Sequence, residues 1–291
     1  MIAIAILIFY IYNINKFGKK GRQKMNNSPI GVFDSGLGGL NVLKELIEEL
    51  PNEKYIYLGD TKRFPYGQKS TESIIEIVKE NIEFLIQKGV KIVVIACGTA
   101  TSQALDVVKN LYDIPIIGII EPTVLNLRER IEESNNMIGV IATKGTIRSC
   151  AWEKKISEYM PNAEIISEAA PLLATMAEEG WTNNKVAEYT VKEYMKIFKN
   201  VDKLILGCTH YPLFKELMQK ELPHKTEIVD TGVELAKYLK KKISGYDLET
   251  SNTEIGGYEI YLTDVNEEFA NSATGILSDY IDISQINKVE L

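Results

Sequence analysis

Two cysteines occupy matching settings far apart in the chain. Cys97 lies in Ala96-Cys97-Gly98-Thr99-Ala100-Thr101, and Cys208 in Leu206-Gly207-Cys208-Thr209-His210-Tyr211-Pro212. Each closes an apolar run and precedes small or hydroxyl residues. A thiol between a strand end and a helix start faces backbone N–H groups that can lower its pKa from about 8.5. Taken alone, either cysteine reads first as a small, packed core residue, the usual state of a free thiol. Cys208 and His210, two positions apart, suggest two other chemistries. Zinc needs three or four ligands, and the only other histidine is His224, with no paired cysteine nearby. A Cys-His hydrolase needs one nucleophile and an orienting Asn or Asp, and would leave Cys97 idle. Two thiols facing one carbon from opposite sides could instead remove a proton from one face and add one to the other.

Asp34-Ser35-Gly36-Leu37-Gly38-Gly39 is a second chemical signal. It is not a dinucleotide fingerprint, because the third glycine position is Asn41. Its backbone N–H groups could hold a carboxylate. Asp34 could bind an ammonium group, pass a proton or cap the following helix. Thr143 and Thr146 echo this turn later in the chain, where hydroxyls could bind a carboxylate without a counter-cation; capping explains one of them as readily. Glu178 and Glu179 before Gly180 read as a solvated helix end. Cys150 reads as a packing residue early in a helix, and Trp152 and Trp181 as core or interface. No P-loop, kinase loop or Rossmann turn is present.

The elements that must position these residues alternate. Short strands are expected at Ile30 to Phe33, Lys54 to Leu58, Lys91 to Ala96 and Ile114 to Ile120. Helical spacing marks Leu40 to Leu50, Thr71 to Lys88, Ser102 to Asn110 and a stretch through Leu127 to Ile131. Gly89 reads as a C-cap. The run before Cys97 is almost wholly apolar, as when helices cover both faces of a parallel sheet. The fold class is therefore α/β with a mainly parallel sheet. Ile138-Gly139-Val140 echoes Ile30-Gly31-Val32, and a lysine-led apolar strand runs into a cysteine in each half. Gly31 to Cys97 spans 66 positions and Gly139 to Cys208 spans 69. Two pseudo-symmetric lobes are expected. Ligands of open α/β sheets sit beyond the carboxyl ends of strands, so both cysteines should face one cleft between the lobes.

Composition narrows the field. The 291 residues suffice for one large or two modest domains. A net charge of -7 argues against non-specific nucleic-acid binding, which needs a basic footprint, but allows a small anionic substrate. Three scattered cysteines form no disulfide framework, and free thiols point to the cytoplasm. Residues 1–24 differ from the rest: Met1 to Tyr12 is apolar and Lys16 to Lys24 basic. Twelve apolar residues fall short of the roughly 20 that span a bilayer. A short membrane anchor through residues 1–12 is the alternative to an upstream, non-structural extension before a functional start at Met25.

Taken together, Ile30-Gly-Val-Phe-Asp-Ser-Gly-Leu-Gly-Gly39, Gly59-Asp-Thr-Lys-Arg-Phe-Pro-Tyr-Gly67, Ala96-Cys-Gly-Thr-Ala100, Gly139-Val-Ile-Ala-Thr-Lys-Gly-Thr146, Pro171 to Gly180 and Leu206-Gly-Cys-Thr-His-Tyr-Pro-Leu213 resemble the glutamate racemase family of the wider aspartate/glutamate racemase group. The resemblance runs in family order from about residue 28 to 233. It implies one lobe of residues 28–122 plus 234–291 and another of 123–233. It implies Cys97 as base for D-glutamate and Cys208 as base for L-glutamate, with Asp34 assisting the first and His210 and Glu178 the second. Asp34, Ser35, Pro65, Tyr66, Gly67, Thr99, Thr143, Thr146, Thr209 and His210 become substrate holders, as does position 98. It implies the small-molecule substrate glutamate, no metal, no pyridoxal phosphate and a product used in bacterial peptidoglycan. A homodimer without nucleic-acid partner is expected. The group also contains aspartate racemases and one-cysteine decarboxylases; a non-catalytic binding protein on the same fold is a further alternative. One position departs: the family's usual Cys-Asn-Thr is Cys97-Gly98-Thr99 here. An asparagine amide restored at 98 is expected to tighten glutamate by about ten-fold, the worth of one hydrogen bond to a charged group.

Overall fold

The computed structural model describes residues 27–130, 136–245, 248–265 and 286–291. The extension at 1–24 and its proposed boundary at Met25 lie outside them, as does the end of the helix expected through Ile131.

Apolar runs form two parallel sheets. The first contains β1 (Ile30–Asp34), β2 (Tyr55–Gly59), β3 (Ile92–Ile95), β4 (Ile116–Gly118), β9 (Tyr258–Leu262) and β10 (Ile286–Lys288), in the order β10-β9-β2-β1-β3-β4. The second contains β5 (Met137–Ala142), β6 (Glu164–Ala169), β7 (Lys203–Leu206) and β8 (Glu227–Asp230), in the order β6-β5-β7-β8. The shared 2-1-3-4 order gives the echo its structural form: β1 corresponds to β5, and β3 to β7. Each central strand pairs in parallel on both sides. Parallel neighbours require helices on both faces, and β1 and β3 are accordingly buried at every residue.

The helices are α1 (Gly39–Glu49), α2 (Thr71–Gln87), α3 (Gly98–Val108), α4 (Ile120–Arg128), α5 (Lys144–Ser149), α6 (Ala151–Tyr159), α7 (Pro171–Glu178), α8 (Lys185–Met195), α9 (Lys215–Glu221) and α10 (Thr231–Gly245). One hydrophobic core joins the two sheets. It takes Ile30, Val32 and Val94 from the first sheet, Ile138, Val140 and Ile205 from the second, and Leu43, Val124 and Leu239 from helices α1, α4 and α10. Separate cores fill the outer face of each sheet. The sheets are thus held side by side through α1, α4 and α10, which leaves the carboxyl ends of their strands facing each other. Among the described residues no helix is long and apolar enough to cross a membrane.

Three local expectations change. Helix α3 starts at Gly98, four positions before Ser102, with Cys97 as its N-cap. Gly98 to Thr101 are all buried, so small residues packed on every side mask the helical period. The strand expected through Ile120 is confined to Ile116–Gly118, and α4 begins at once; Pro122 is accommodated in its first turn, where no N–H partner is lost. Cys150 is not a packing residue. It sits exposed at φ 53 between α5 and α6, where one left-handed residue breaks the helical path. Gly89 ends α2 at φ 78, the left-handed conformation expected of a glycine C-cap. Trp152 is fully buried, whereas Trp181 is half exposed.

Candidate active site

The facing carboxyl ends of β1, β3 and β7 supply the chemistry. Cys97 follows β3 and Cys208 follows β7, the pseudo-equivalent strand. Both thiols are buried to within a few per cent, and both line one cleft of about 540 Å³ of empty space, mouth included. The cleft walls also include Ser35, Pro65, Tyr66, Gly67, Gly98, Thr99, Thr143, Thr209 and His210. Asp34, Thr146 and Glu178 stand behind this surface, each bonded to residues that form it.

On the first side, the Cys97 sulfur lies 3.8 Å from Ser35 Oγ. Asp34 is fully buried. Its Oδ2 accepts the N–H groups of Gly36 and Gly39, both at 3.1 Å, and its Oδ1 accepts the Thr209 hydroxyl at 3.2 Å. Burial pushes this carboxyl up from 3.8 to about 6, against the opposing pull of His210 and the Gly36 N–H. Burial also pushes the Cys97 thiol well above its ordinary range, with the nearby Asp34 charge adding to the shift. The shift favours the protonated form of Cys97.

On the second side, the Cys208 sulfur is 3.6 Å from His210 Nδ1, and His210 Nε2 is 2.6 Å from Glu178 Oε1. Burial alone would lower the His210 pKa. Its hydrogen bonds to Cys208 and Glu178 overcome this and raise it well above 6.5. The result is a chain, sulfur to imidazole to carboxylate, in which a proton can be exchanged with Cys208.

Three hydroxyls complete the site. Thr99 Oγ1 lies 2.8 Å from Thr143 Oγ1 and 3.3 Å from Thr146 Oγ1, and the last two are 3.0 Å apart. Thr99 heads α3 while Thr143 and Thr146 head α5, so the cluster joins the two sheets at two helix starts. Such hydroxyls and helix N-termini can receive a carboxylate.

Two expectations are overturned. Three N–H groups of the glycine-rich turn are not open to a ligand. Gly36 and Gly39 donate to Asp34, and Leu37 donates to Glu178 Oε1 at 2.9 Å; the protein's own carboxylates occupy the turn. Glu178 is accordingly not a solvated helix end, although Glu179 beside it is exposed. A further expectation, at Gly98, meets a steric obstacle. A Cβ there would stand 2.3 Å from the Gly207 carbonyl oxygen. Asparagine cannot enter without moving backbone, which opposes the expected gain in affinity.

The cleft also uses Phe64, Gln68, Lys144, Pro171, Ala174, Thr175 and Gly207, which sequence reasoning did not single out. Most lie within or beside the quoted motifs, and that proximity was the only available signal. Asn41 and Tyr57 support the site from behind: Asn41 Nδ2 donates to the Thr209 carbonyl at 3.0 Å, and the Tyr57 hydroxyl donates to the Gly36 carbonyl at 2.6 Å. Among the described residues no group of three His, Cys, Asp or Glu side chains could hold a metal ion.

Comparison with known proteins gives a consistent result. The family model described as Asp/Glu/hydantoin racemase matches residues 30–239. A glutamate racemase of Geobacter metallireducens is 39% identical over 261 residues, covering 89% of this chain and 96% of that protein. The crystal structure of the Francisella tularensis glutamate racemase in complex with D-glutamate has a TM-score of 0.83 at 36% identity, covering 91% of this chain and 98% of its own. That of a Bacillus anthracis glutamate racemase isoform has a TM-score of 0.85 at 34% identity, with the same coverage.

Proposed function

The chain belongs to the Asp/Glu/hydantoin racemase family, and from that footing we propose that it interconverts L- and D-glutamate by passing the α-proton between Cys97 and Cys208. The observation that carries this reading is the pair of buried thiols at pseudo-equivalent strand ends on one cleft. Cleavage of one C–H bond on one face and formation of another on the opposite face require two acid/base groups, one on each side.

In the L-to-D direction the Cys208 thiolate takes the α-proton, forming S–H as the C–H bond breaks. The Cys97 thiol delivers its proton to the other face, and the thiolate it leaves serves the reverse reaction. The raised pKa of Cys97 suits it to act as the acid. Asp34 assists Cys97, and His210 with Glu178 behind it assists Cys208. Charge developing on the α-carboxylate is met by the hydroxyls of Ser35, Thr99, Thr143, Thr146 and Thr209 and by backbone N–H groups. Pro65, Tyr66 and Gly67 wall the substrate in. No step calls for a metal or pyridoxal phosphate. In this reading residues 28–122 with 234–291 form the lobe of Cys97, and residues 123–233 that of Cys208. The product supplies peptidoglycan synthesis, and the need for two free thiols supports a reducing, cytoplasmic setting. A homodimer is part of the proposal, supported by the exposed apolar side chains of Leu172, Trp181, Val186 and Tyr189.

The test is circular dichroism of purified protein with D-glutamate, L-glutamate and both enantiomers of aspartate. Both glutamate enantiomers should relax to the same racemic endpoint. Inversion of aspartate in preference to glutamate, or of neither, would remove the reading.

A further inference from the structure

The wall of the cleft that follows β2 is built on a buried polar network. Asp60, directly after β2, is fully buried. The Tyr66 hydroxyl donates to its Oδ2, which also accepts Arg63 Nε at 2.6 Å. Its Oδ1 accepts the Thr263 hydroxyl at 2.9 Å. Both oxygens are thus satisfied, and none of Asp60, Arg63 and Thr263 lines the cleft. Tyr66 does line it, yet its hydroxyl faces away. It donates to Asp60 and accepts Asn81 Nδ2 at 3.0 Å, so Tyr66 presents its ring, not its oxygen, to the cavity.

Thr263 ties this network to the chain beyond β9. Its hydroxyl accepts the Lys62 N–H at 3.0 Å, and its own N–H donates to the Gly59 carbonyl at 3.1 Å. Next to it, the Thr61 hydroxyl donates to the Asp264 carbonyl at 2.5 Å and accepts the Asp264 N–H at 2.9 Å. The segment from Thr61 to Gly67 is therefore clamped from below by Asp60 and from the side by residues some 200 positions later. At its far end a Cβ on Gly67 would meet Thr143 Cβ at 2.8 Å. A shift of this segment would consequently disturb the Thr99–Thr143 hydroxyl pair across the cleft.

We infer that Asp60 is a positioning residue for the substrate: through Tyr66 and Thr263 it holds the Phe64–Gly67 wall in the shape that receives glutamate. The inference rests on the glutamate reading for its substrate. A buried carboxylate that merely stabilises the β2–β9 joint would affect thermal stability alone, whereas a positioning residue changes how tightly substrate is held and acts through Tyr66.

The experiment uses the full chain with Asp60→Asn, Thr263→Val, Tyr66→Phe and the Asp60→Asn/Tyr66→Phe double variant. The readouts are KM and kcat for both glutamate enantiomers, the thermal midpoint, and amide hydrogen exchange across residues 61–68. Asp60→Asn should raise KM for both enantiomers about ten-fold, the weight of a charge-assisted hydrogen bond, with kcat held within about three-fold. Thr263→Val should move KM the same way by less. The double variant should be no worse than the more impaired single one, because coupled groups are not additive. Exchange at 61–68 should quicken in Asp60→Asn. An unchanged KM in a folded Asp60→Asn protein, or additive effects in the double variant, overturns the inference. Should Asp60→Asn fail to fold, Thr263→Val decides on the same criteria. Should wild type not turn over glutamate, the racemase reading falls; exchange at 61–68 then decides, unchanged rates in Asp60→Asn overturning the hold of Asp60 on the wall.

Discussion

Replacing Gly98 with alanine adds one methyl group at the point where the two halves of the protein touch beside both cysteines. The added Cβ would lie 2.3 Å from the Gly207 carbonyl oxygen, against a floor of 3.0 Å for real Cβ contacts and 3.4 Å for comfortable ones. The start of α3 and the strand end at Gly207 must then separate by about 0.7 to 1.1 Å. Gly98 is not among the glycines at positive φ, so the cost is steric and not conformational. Cys97 precedes Gly98 and Cys208 follows Gly207, so this separation widens the gap between the two thiols. Proton transfer needs reacting atoms about 3–3.5 Å apart, and a misplacement near 1 Å costs up to about 100-fold. Overpacking of this kind destabilises by about 1–3 kcal/mol when the surroundings cannot yield. A cleft between lobes can open, so the loss should fall on turnover more than on stability. Gly98→Ala should lower kcat/KM about 10- to 100-fold in both directions, with a drop of only a few degrees in thermal midpoint; Gly98→Asn should be at least as impaired. Gly207→Ala is a useful contrast. Its Cβ would strike Trp152 Nε1 at 2.8 Å and Ala142 Cβ at 2.9 Å, inside the second lobe, so stability should fall with it. Polarimetric rates for both enantiomers and thermal melts decide. Wild-type kcat/KM in Gly98→Ala, or tighter glutamate binding in Gly98→Asn, would refute the steric reasoning.

Cys97→Ala and Cys208→Ala should each abolish racemisation in both directions while retaining α-proton exchange of the one enantiomer whose base survives, as followed by NMR in D2O; near wild-type racemisation in either would end the two-base reading. Asp34, raised by burial to about 6 from 3.8, should give an acidic limb near pH 6 in kcat/KM that Asp34→Asn removes. The sign for stability is the opposite. The unfolded chain releases this proton first, so the contribution is fully present below about pH 3.8 and is lost as pH rises through 6, a change of about 3 kcal/mol; pH-dependent melts of Asp34→Asn should be correspondingly flatter. Glu178→Gln should lower the His210 pKa, because the carboxylate bond helps raise it, and imidazole nitrogen shifts measured by NMR will show whether it does. Dialysis against a chelator should leave the rate unchanged; loss restored by added metal would contradict the cofactor-free mechanism.

What was legible in the sequence was local. Strands such as Lys91 to Ala96 declare themselves because a strand buried on both faces is apolar throughout, and α2 because its apolar side recurs at helical spacing. The repeat of Ile-Gly-Val and of lysine-led strands ending in Cys97 and Cys208 could be read from spacing alone, and with it the two halves and the opposed thiols. Where the signal depended on contact between distant residues, it vanished. Glu178 looks like any polar helix end because its partner, the Leu37 N–H, is 141 positions away. The glycine turn looks like an anion cradle because Asp34 beside it could be read as ligand or cap alike, and only the folded chain brings Glu178 into it. Gly98 looks like a missing amide until Gly207 is seen to occupy that space. Asp60 stands in a quoted motif, but nothing local ties it to Thr263, which bonds it from 203 positions later. Periodicity and residue type record how a segment meets solvent or core, and that is enough to place strands and their ends. Which side chain answers which across a cleft is decided by the packing of the two sheets, and that packing is a property of the whole chain.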